Sequence, residues 1–273
     1  MKTGLILTAG AVMAFCSCAK ETLENTQKTD GNLVYREFGV ADLSWKTSLG
    51  EDGTSLLWTE GDIINIFDET ASCLGYSPFT ASGWGEKTVF SGMADASAED
   101  FYALYPYDAD AVWNYSDKKI TTYLEHKQNG VPGNIESLRN ISVAKASADL
   151  LAFHHVTALL SFEITSSDVT AVVIKANGAE KLAGSVTVTL DGNGYPAVDE
   201  SALGTSWSKV QMLPAEGGTF TPGKYYFVLL PCSLENGLTV NVTKTDGRIY
   251  SKASKKELAL VSGKITQLGT ADS

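Results

Sequence analysis

The sequence has few basic residues, no sustained helical periodicity and, after its first 21 residues, no long apolar run. Its 273 residues include 21 Lys and Arg but 32 Asp and Glu, which gives a net charge of −11. Binding to nucleic acid needs clustered Lys and Arg, so this balance argues against it. A membrane-spanning helix needs about 20 consecutive apolar residues, and no later segment reaches that length. The chain is nevertheless long enough for a sizeable core.

Motifs of catalysis are also missing. The sequence contains no G-x-S-x-G, no G-x-x-x-x-G-K-[ST] and no H-E-x-x-H. His154 and His155 are adjacent in an apparent strand, where successive side chains point to opposite faces, so they cannot bind one metal ion together. Asp108 and Asp110 are not followed by the further ligands of a calcium-binding loop. We therefore predict that the protein is not an enzyme and holds no cofactor or metal.

The N-terminus, MKTGLILTAGAVMAFCSCAKE, has the organisation of an export signal. Lys2 precedes an uncharged, mostly apolar run of 12 residues at 4–15, which is too short to span a bilayer. The pattern resembles a bacterial lipoprotein signal in which residues 1–17 are removed and Cys18 receives the lipid, palmitate included. Cys16 fits less well because a bulky residue precedes it. The alternative is an ordinary signal peptide with incidental cysteines.

Lipidation of Cys18 would leave two other cysteines in the exported chain, Cys73 and Cys232. They would form one disulfide or remain as two separate buried thiols, and their spacing does not decide between these states. Because no later segment can span a bilayer, the lipid would be the only attachment to the outer membrane.

After a polar stretch, short β-branched and aromatic runs alternate with turn residues. Ile63–Phe67 and Phe101–Tyr105 are typical of strands, and the continuously apolar Tyr225–Leu230 predicts a central strand. Asp246 and Gly247 favour a hairpin turn, because both central positions of a type I′ turn need a positive φ. Strands that recur every 8–12 residues or so are typical of β-sandwiches.

This pattern predicts an all-β fold with two antiparallel β-sandwich domains. The first covers residues 40–149 and the second covers residues 150–273. They follow a signal peptide at residues 1–17 and a lipidated tether, with a candidate removable strand, at residues 18–39. Each domain would have an ordinary size. The stretch Glu136–Ala146 would hold a short helix at most.

Several sequence blocks together resemble the fimbrillin-like proteins of Bacteroidetes, the family of major and minor fimbrium subunits. The blocks are Ser44–Asp68, Phe101–Tyr107, Ala144–Ile164, Tyr226–Pro231 and Gly263–Leu268. The resemblance implies that both sandwiches are transthyretin-like and that a lipoprotein precursor reaches the cell surface. It also implies that the chain assembles with other fimbrial subunits, by exchange of β-strands, into fimbriae that serve adhesion to host or glycan ligands.

The resemblance further implies that a trypsin-like protease removes the first strand after an arginine. The matching site is Arg36, which follows Leu33–Tyr35, and Glu37 would become the new N-terminus. The alternative is an ordinary surface arginine in an uncleaved, permanently anchored subunit. Leu258–Leu268 is the candidate for the incoming donor strand; alternatively, it is an edge strand that completes its own domain.

Two other functions remain open on the sequence. Four tryptophans lie near turn residues and would serve a surface glycan-binding lipoprotein if their rings were exposed, or they pack in the core. They are Trp58, Trp84, Trp113 and Trp207. A hydrolase built on a β-sandwich would need two facing carboxylates about 5–10 Å apart, and nothing in the sequence points to such a pair.

Overall fold

The computed structural model describes residues 32–41, 48–49, 56–69, 73–74, 77–136, 139–199 and 204–272. The predicted signal peptide, Cys18 and most of the predicted tether lie outside the described residues. Within these ranges there is no α-helix, and a short 3-10 turn occupies Gly85–Lys87. No helix in the described part is both long and apolar enough to cross a membrane. The prediction of an all-β fold is confirmed.

The described residues contain 25 strands. In chain order they are β1 (Leu33–Val40), β2 (Ser48–Leu49), β3 (Leu56–Leu57), β4 (Ile63–Asp68), β5 (Cys73–Leu74), β6 (Pro78–Ser82), β7 (Val89–Asp95), β8 (Phe101–Tyr105), β9 (Val112–Asn114), β10 (Lys119–Leu124), β11 (Lys127–Gly130), β12 (Ser142–Ser147), β13 (Leu150–His155), β14 (Ala158–Ile164), β15 (Val169–Ala176), β16 (Ala183–Leu190), β17 (Pro196–Val198), β18 (Ser206–Trp207), β19 (Lys209–Pro214), β20 (Gly223–Leu229), β21 (Cys232–Leu234), β22 (Leu238–Lys244), β23 (Ile249–Ser254), β24 (Leu258–Leu260) and β25 (Ile265–Thr270).

Seven strands, all within residues 33–155, close into a barrel in the order β1-β13-β12-β8-β4-β6-β7. Its interior is an aromatic core that includes Phe38, Phe79, Phe90 and Phe153. Trp58 lies at its centre, with its ring centroid 5.0 Å from that of Phe90 and 4.9 Å from that of Phe153. Large rings placed at such distances, tilted or edge to face, stabilise a core beyond the area they bury.

The C-terminal half forms a second core between several sheets. One sheet has the order β11-β19-β15-β22-β23, another has the order β20-β14-β25, and a third contains β17-β16-β10-β9-β5. The apolar run predicted to be a central strand is β20, whose residues Tyr225 to Leu229 are all buried. The predicted central position is wrong, because β20 lies at the end of its sheet, where the Gln128 side chain bonds the N–H and C=O of Val228. Strand β20 pairs along its whole length with β14, which is also mostly buried.

The two cores share one wall, formed by the barrel strands β4, β8 and β12. On β8, Ala103 and Tyr105 point into the barrel, whereas Tyr102 and Leu104 belong to the second core. Val143 of β12 also faces the second core. All five residues of β8 are buried because both of its faces are covered. This explains why the strand is continuously apolar.

The predicted division between residues 149 and 150 does not coincide with the sheets. It falls in the turn of the β12–β13 hairpin, whose strands pair from Ser142 with His155 to Ser147 with Leu150. Further, β10 from the N-terminal half pairs with β16 from the C-terminal half. The hairpin belongs to the barrel because β13 also pairs with β1. The number of domains and their transthyretin-like type stay predictions.

Candidate assembly surfaces

Strand β1 contains the predicted processing site and occupies a slot between β7 and β13. It pairs antiparallel with β7 at seven successive positions, from Leu33 to Gly39. Its contact with β13 is parallel and includes only Gly39 and Val40. Phe38 anchors the strand, since its side chain is 1% exposed and its ring lies 5.1 Å from that of Phe101. The barrel is therefore closed firmly on the β7 side of β1 and weakly on the β13 side.

The side chain of Arg36 points towards the barrel rather than towards solvent. Its guanidinium lies 5.2 Å from the centre of the Phe101 ring, and one of its N–H groups donates a hydrogen bond of 3.4 Å to the carbonyl of Ala98. Arg36 Nε is buried without a hydrogen-bond partner among the described residues. Glu37 is exposed and accepts a hydrogen bond of 2.9 Å from the Tyr35 hydroxyl.

The backbone of Arg36 is held in the sheet. The Ala96 N–H donates to the carbonyl of Asn32, and hydrogen-bonded pairs alternate in an antiparallel ladder. The N–H and C=O of Arg36 therefore face Gly92, its register partner on β7. A protease needs the peptide bond after Arg36 in an accessible, extended segment. Cleavage there requires that β1 first separate from β7.

Strand β25, which begins within the predicted donor segment, is an edge strand of its own chain in this structure. It pairs parallel with β14 and forms the edge of its three-stranded sheet, and β24 pairs with β21. This arrangement matches the alternative interpretation of the segment. A donor role would require β25 to leave β14.

Asp272, just after β25, fixes the end of the chain to the turn between β14 and β15. Its carboxylate accepts hydrogen bonds from the backbone N–H and the hydroxyl of both Thr165 and Ser166, at 2.6–3.3 Å. Burial alone would raise the pKa of Asp272, but the donors from Ser166 and Thr165 outweigh it and hold the pKa below its ordinary value. We call this set of contacts the C-terminal latch.

The four tryptophans that the structure describes do not form an exposed platform. Trp58 and Trp113 are buried at 1% and 0% exposure. Trp207 is half-buried, stacks on His126 at 3.9 Å between ring centroids and donates its N–H to the Tyr123 hydroxyl. Only Trp84 among these four is strongly exposed, at 63%. Two of the four side chains pack in the core, so these four tryptophans do not form a row of exposed rings on which a glycan could stack.

The histidines and the aspartate that the sequence suggested as candidate metal ligands contact other residues of the chain. His155 is buried on β13 and its Nδ1 lies 2.8 Å from the Ser142 hydroxyl, whereas His154 stacks on Tyr195. Asp108 accepts hydrogen bonds from the Thr122 hydroxyl and a backbone N–H. Among the described residues, no group of three or more His, Cys, Asp and Glu side chains is placed to hold a metal ion.

Acid is expected to destabilise the protein through His155. Burial, and secondarily the charge of His154, lower the pKa of His155 from 6.5 to about 4. Since the folded-state pKa of His155 lies below the unfolded one, protonation favours unfolding. The contribution of His155 to the stability is fully present above about pH 6.5 and is lost as the pH falls towards 4. We expect a loss of about 2 kcal/mol between pH 7 and pH 5 from this group. Urea denaturation at both pH values measures it.

The control for this experiment is the variant His155→Gln compared with His126→Gln. The first substitution should remove most of the pH dependence between pH 5 and 7, whereas the second should keep it. An equal pH dependence in wild type and His155→Gln would show that another group titrates.

Comparisons with known proteins identify the fold. No family model matches the chain, and no curated protein matches it. Solved structures that are similar include two that are each described as a "putative cell adhesion protein". One, from Bacteroides uniformis, has a TM-score of 0.52 and 17% identity, over 90% of this chain and 95% of that chain. The other, from Bacteroides ovatus, has a TM-score of 0.50 and 11% identity, over 87% of this chain and 91% of that chain.

At these identities the likeness shows a shared fold. The chain therefore has the all-β fold of these two Bacteroides proteins over most of its length. The resemblance inferred from the sequence blocks agrees with this result.

Proposed function

We propose that the protein is a structural and adhesive subunit of cell-surface fimbriae. In this proposal it is exported as a lipoprotein, held in the outer membrane through Cys18, and assembled with other subunits by exchange of β-strands. The observation that carries the proposal is the fold, which the chain shares over nearly its whole length with two proteins described as cell adhesion proteins.

The slot occupied by β1 supports strand exchange. Cleavage after Arg36 would remove Leu33–Arg36 and expose the edge of β7 from Gly92 to Asp95. The rest of β1, Glu37–Val40, would stay on the chain, and the rings of Phe79 and Phe101 would be exposed once Phe38 also left the slot. A strand from another chain would regain both the main-chain hydrogen bonds and the apolar burial. Because β13 holds β1 at only two positions, this side of the slot opens at low cost.

The donor segment needs a separate step. If Leu258–Leu268 leaves its domain to fill a neighbour's slot, β25 must separate from β14 and the C-terminal latch must open. The latch would then keep the chain in its resting form until a neighbouring slot is free.

Processing at Arg36 is the first test. Filaments should be purified from the cell surface, identified by immunogold electron microscopy with an antibody against this chain, and subjected to N-terminal sequencing. We expect the sequence to begin at Glu37. The variant Arg36→Gln should remain as a full-length lipoprotein and should not enter filaments, because its β1 stays in the slot.

The matched control is Arg248→Gln, which changes an exposed arginine on the β22–β23 turn. It should be processed like the wild type. Labelled filaments whose subunits begin at Cys18 would exclude processing at Arg36 but would keep the fimbrial role. Surface label without any filaments would contradict the fimbrial role itself.

A further inference from the structure

Charge is strongly segregated along this chain. Residues 51–117, which include barrel strands β4, β6, β7 and β8, contain thirteen Asp and Glu but only one basic residue, Lys87. Residues 244–264, which include β23 and β24, contain six Lys and Arg but only two acidic residues. The second segment is thus a basic region in a chain whose net charge is −11.

The basic region includes a strand with little cover. Strand β23 pairs only with β22 among the described strands, and all six of its residues are exposed. These include Ile249 at 66% and Tyr250 at 49%. An edge strand presents a row of unpaired backbone N–H and C=O groups, and it is the usual place where another chain attaches.

The inner face of β23 is also uncovered. Lys252 lies opposite Val240, and Ser254 lies opposite Leu238. These two β23 side chains therefore point to the same side of the sheet as the buried Leu238 and Val240 of β22. The facing sheet ends at β25 and leaves a groove of about 360 Å³ between β25 and the β22–β23 hairpin. Leu268 contributes to its apolar lining, and the charged residues Lys252, Lys256 and Glu257 also line it.

The basic side chains in and near this groove differ in their ion pairs with other described residues. Lys244 pairs with Asp168 at 3.2 Å and Arg248 pairs with Asp246 at 3.5 Å. Lys252, Lys255 and Lys256 are exposed and form no ion pair with another described residue. We call β23 together with these three lysines the basic edge.

We propose that the basic edge docks on the acidic loops at one end of the barrel of a second copy of this chain, in a head-to-tail contact. Charge complementarity selects this arrangement, since contact between two basic edges would bring like charges together. The loops that precede β4 and follow β8 lie side by side, since the Tyr107 N–H donates to the carbonyl of Ile63, and they carry the exposed carboxylates of Glu60 and Asp110. These carboxylates complement the lysines, and the apolar groove adds burial.

A contact between two different surfaces of the same chain does not close on itself unless it forms a ring, and so it generates open filaments. The inference deepens the proposed fimbrial function and rests on it for its biological meaning. It differs from strand exchange because it needs no strand to leave its own domain.

The test is sedimentation velocity of the chain that begins at Ala19. Self-association should be clear at about 0.01 M salt, where the Debye length is ~30 Å, and much weaker at about 1 M, where it is ~3 Å. The variant Lys252→Glu/Lys256→Glu should associate roughly tenfold more weakly or worse at low salt. The matched control Lys127→Glu/Lys209→Glu changes the same charge on β11 and β19 of the same sheet, and it should associate like the wild type.

Three results would overturn the proposal. If both double variants weaken self-association equally, the effect is one of net charge alone. If neither double variant weakens it, the contact lies elsewhere. If the wild type stays monomeric but fluorescent heparin binds it and not Lys252→Glu/Lys256→Glu, the basic edge takes an anionic polymer instead. Cell-surface filaments that persist in the Lys252→Glu/Lys256→Glu strain would refute the docking contact while leaving the fimbrial role intact.

Discussion

Replacing Cys18 with alanine is expected to abolish acylation and release the protein from the membrane fraction completely. The sulfur of Cys18 is the predicted lipid acceptor, and no later segment can span a bilayer. The described strands begin at Leu33, so the substitution should leave the fold unchanged. Labelling of growing cells with an alkyne analogue of palmitate, followed by detergent fractionation, measures both effects.

The neighbouring Cys16 provides the matched control, because it lies inside the segment that would be removed. Cys16→Ala should be labelled and retained like the wild type. Should Cys18→Ala still incorporate label and sediment with membranes, the lipoprotein prediction is wrong. Loss of both properties in Cys16→Ala alone would move the acceptor to Cys16.

Trp58→Ala is expected to lower the free energy of unfolding by about 3–5 kcal/mol, the range for removal of a large buried aromatic side chain. Trp58 is 1% exposed, and its ring lies within 5.0 Å of the rings of Phe90, Tyr105 and Phe153. Loss of the indole leaves a cavity that these rings cannot fill without leaving their own contacts. A domain is stable by only about 5–15 kcal/mol, so the variant should be close to unfolding.

Urea denaturation followed by circular dichroism gives the measurement, with Trp84→Ala as the control. Trp84 is 63% exposed and has no ring contact among the described aromatic side chains, so its removal should change the stability by less than about 0.5 kcal/mol. If Trp58→Ala lowers the free energy of unfolding no more than Trp84→Ala does, the barrel core does not depend on Trp58.

Local sequence patterns predicted the strands well where one strand carries its own signal. Phe101–Tyr105 is a strand with the predicted bounds, and the predicted strand Ile63–Phe67 lies within β4. The pattern failed at residues 142–146, for which we predicted a short helix at most, because they belong to β12. The sequence of β12, SVAKAS, has few β-branched residues, and its conformation is imposed by pairing with β8 and β13.

The candidate site shows the same limit. Leu33 to Arg36 could be recognised as an early strand, but the direction of the Arg36 side chain depends on its register with β7, which no local pattern contains. The C-terminal latch joins Asp272 to Thr165 and Ser166, which precede it by 107 and 106 positions, so it could not be predicted. The charge segregation is fully visible in the sequence, but it gains meaning only once β23 is known to be uncovered.

The wall shared by the two cores has a mechanical consequence. Tyr102 and Leu104 anchor one core while Ala103 and Tyr105 of the same strand anchor the other. Rotation of the barrel against the second core would remove these side chains from a close-packed interior, so the chain has no internal hinge at this wall. A filament built from this protein would be stiff within each subunit. It would bend only at the contacts between subunits, and tension would be borne there first.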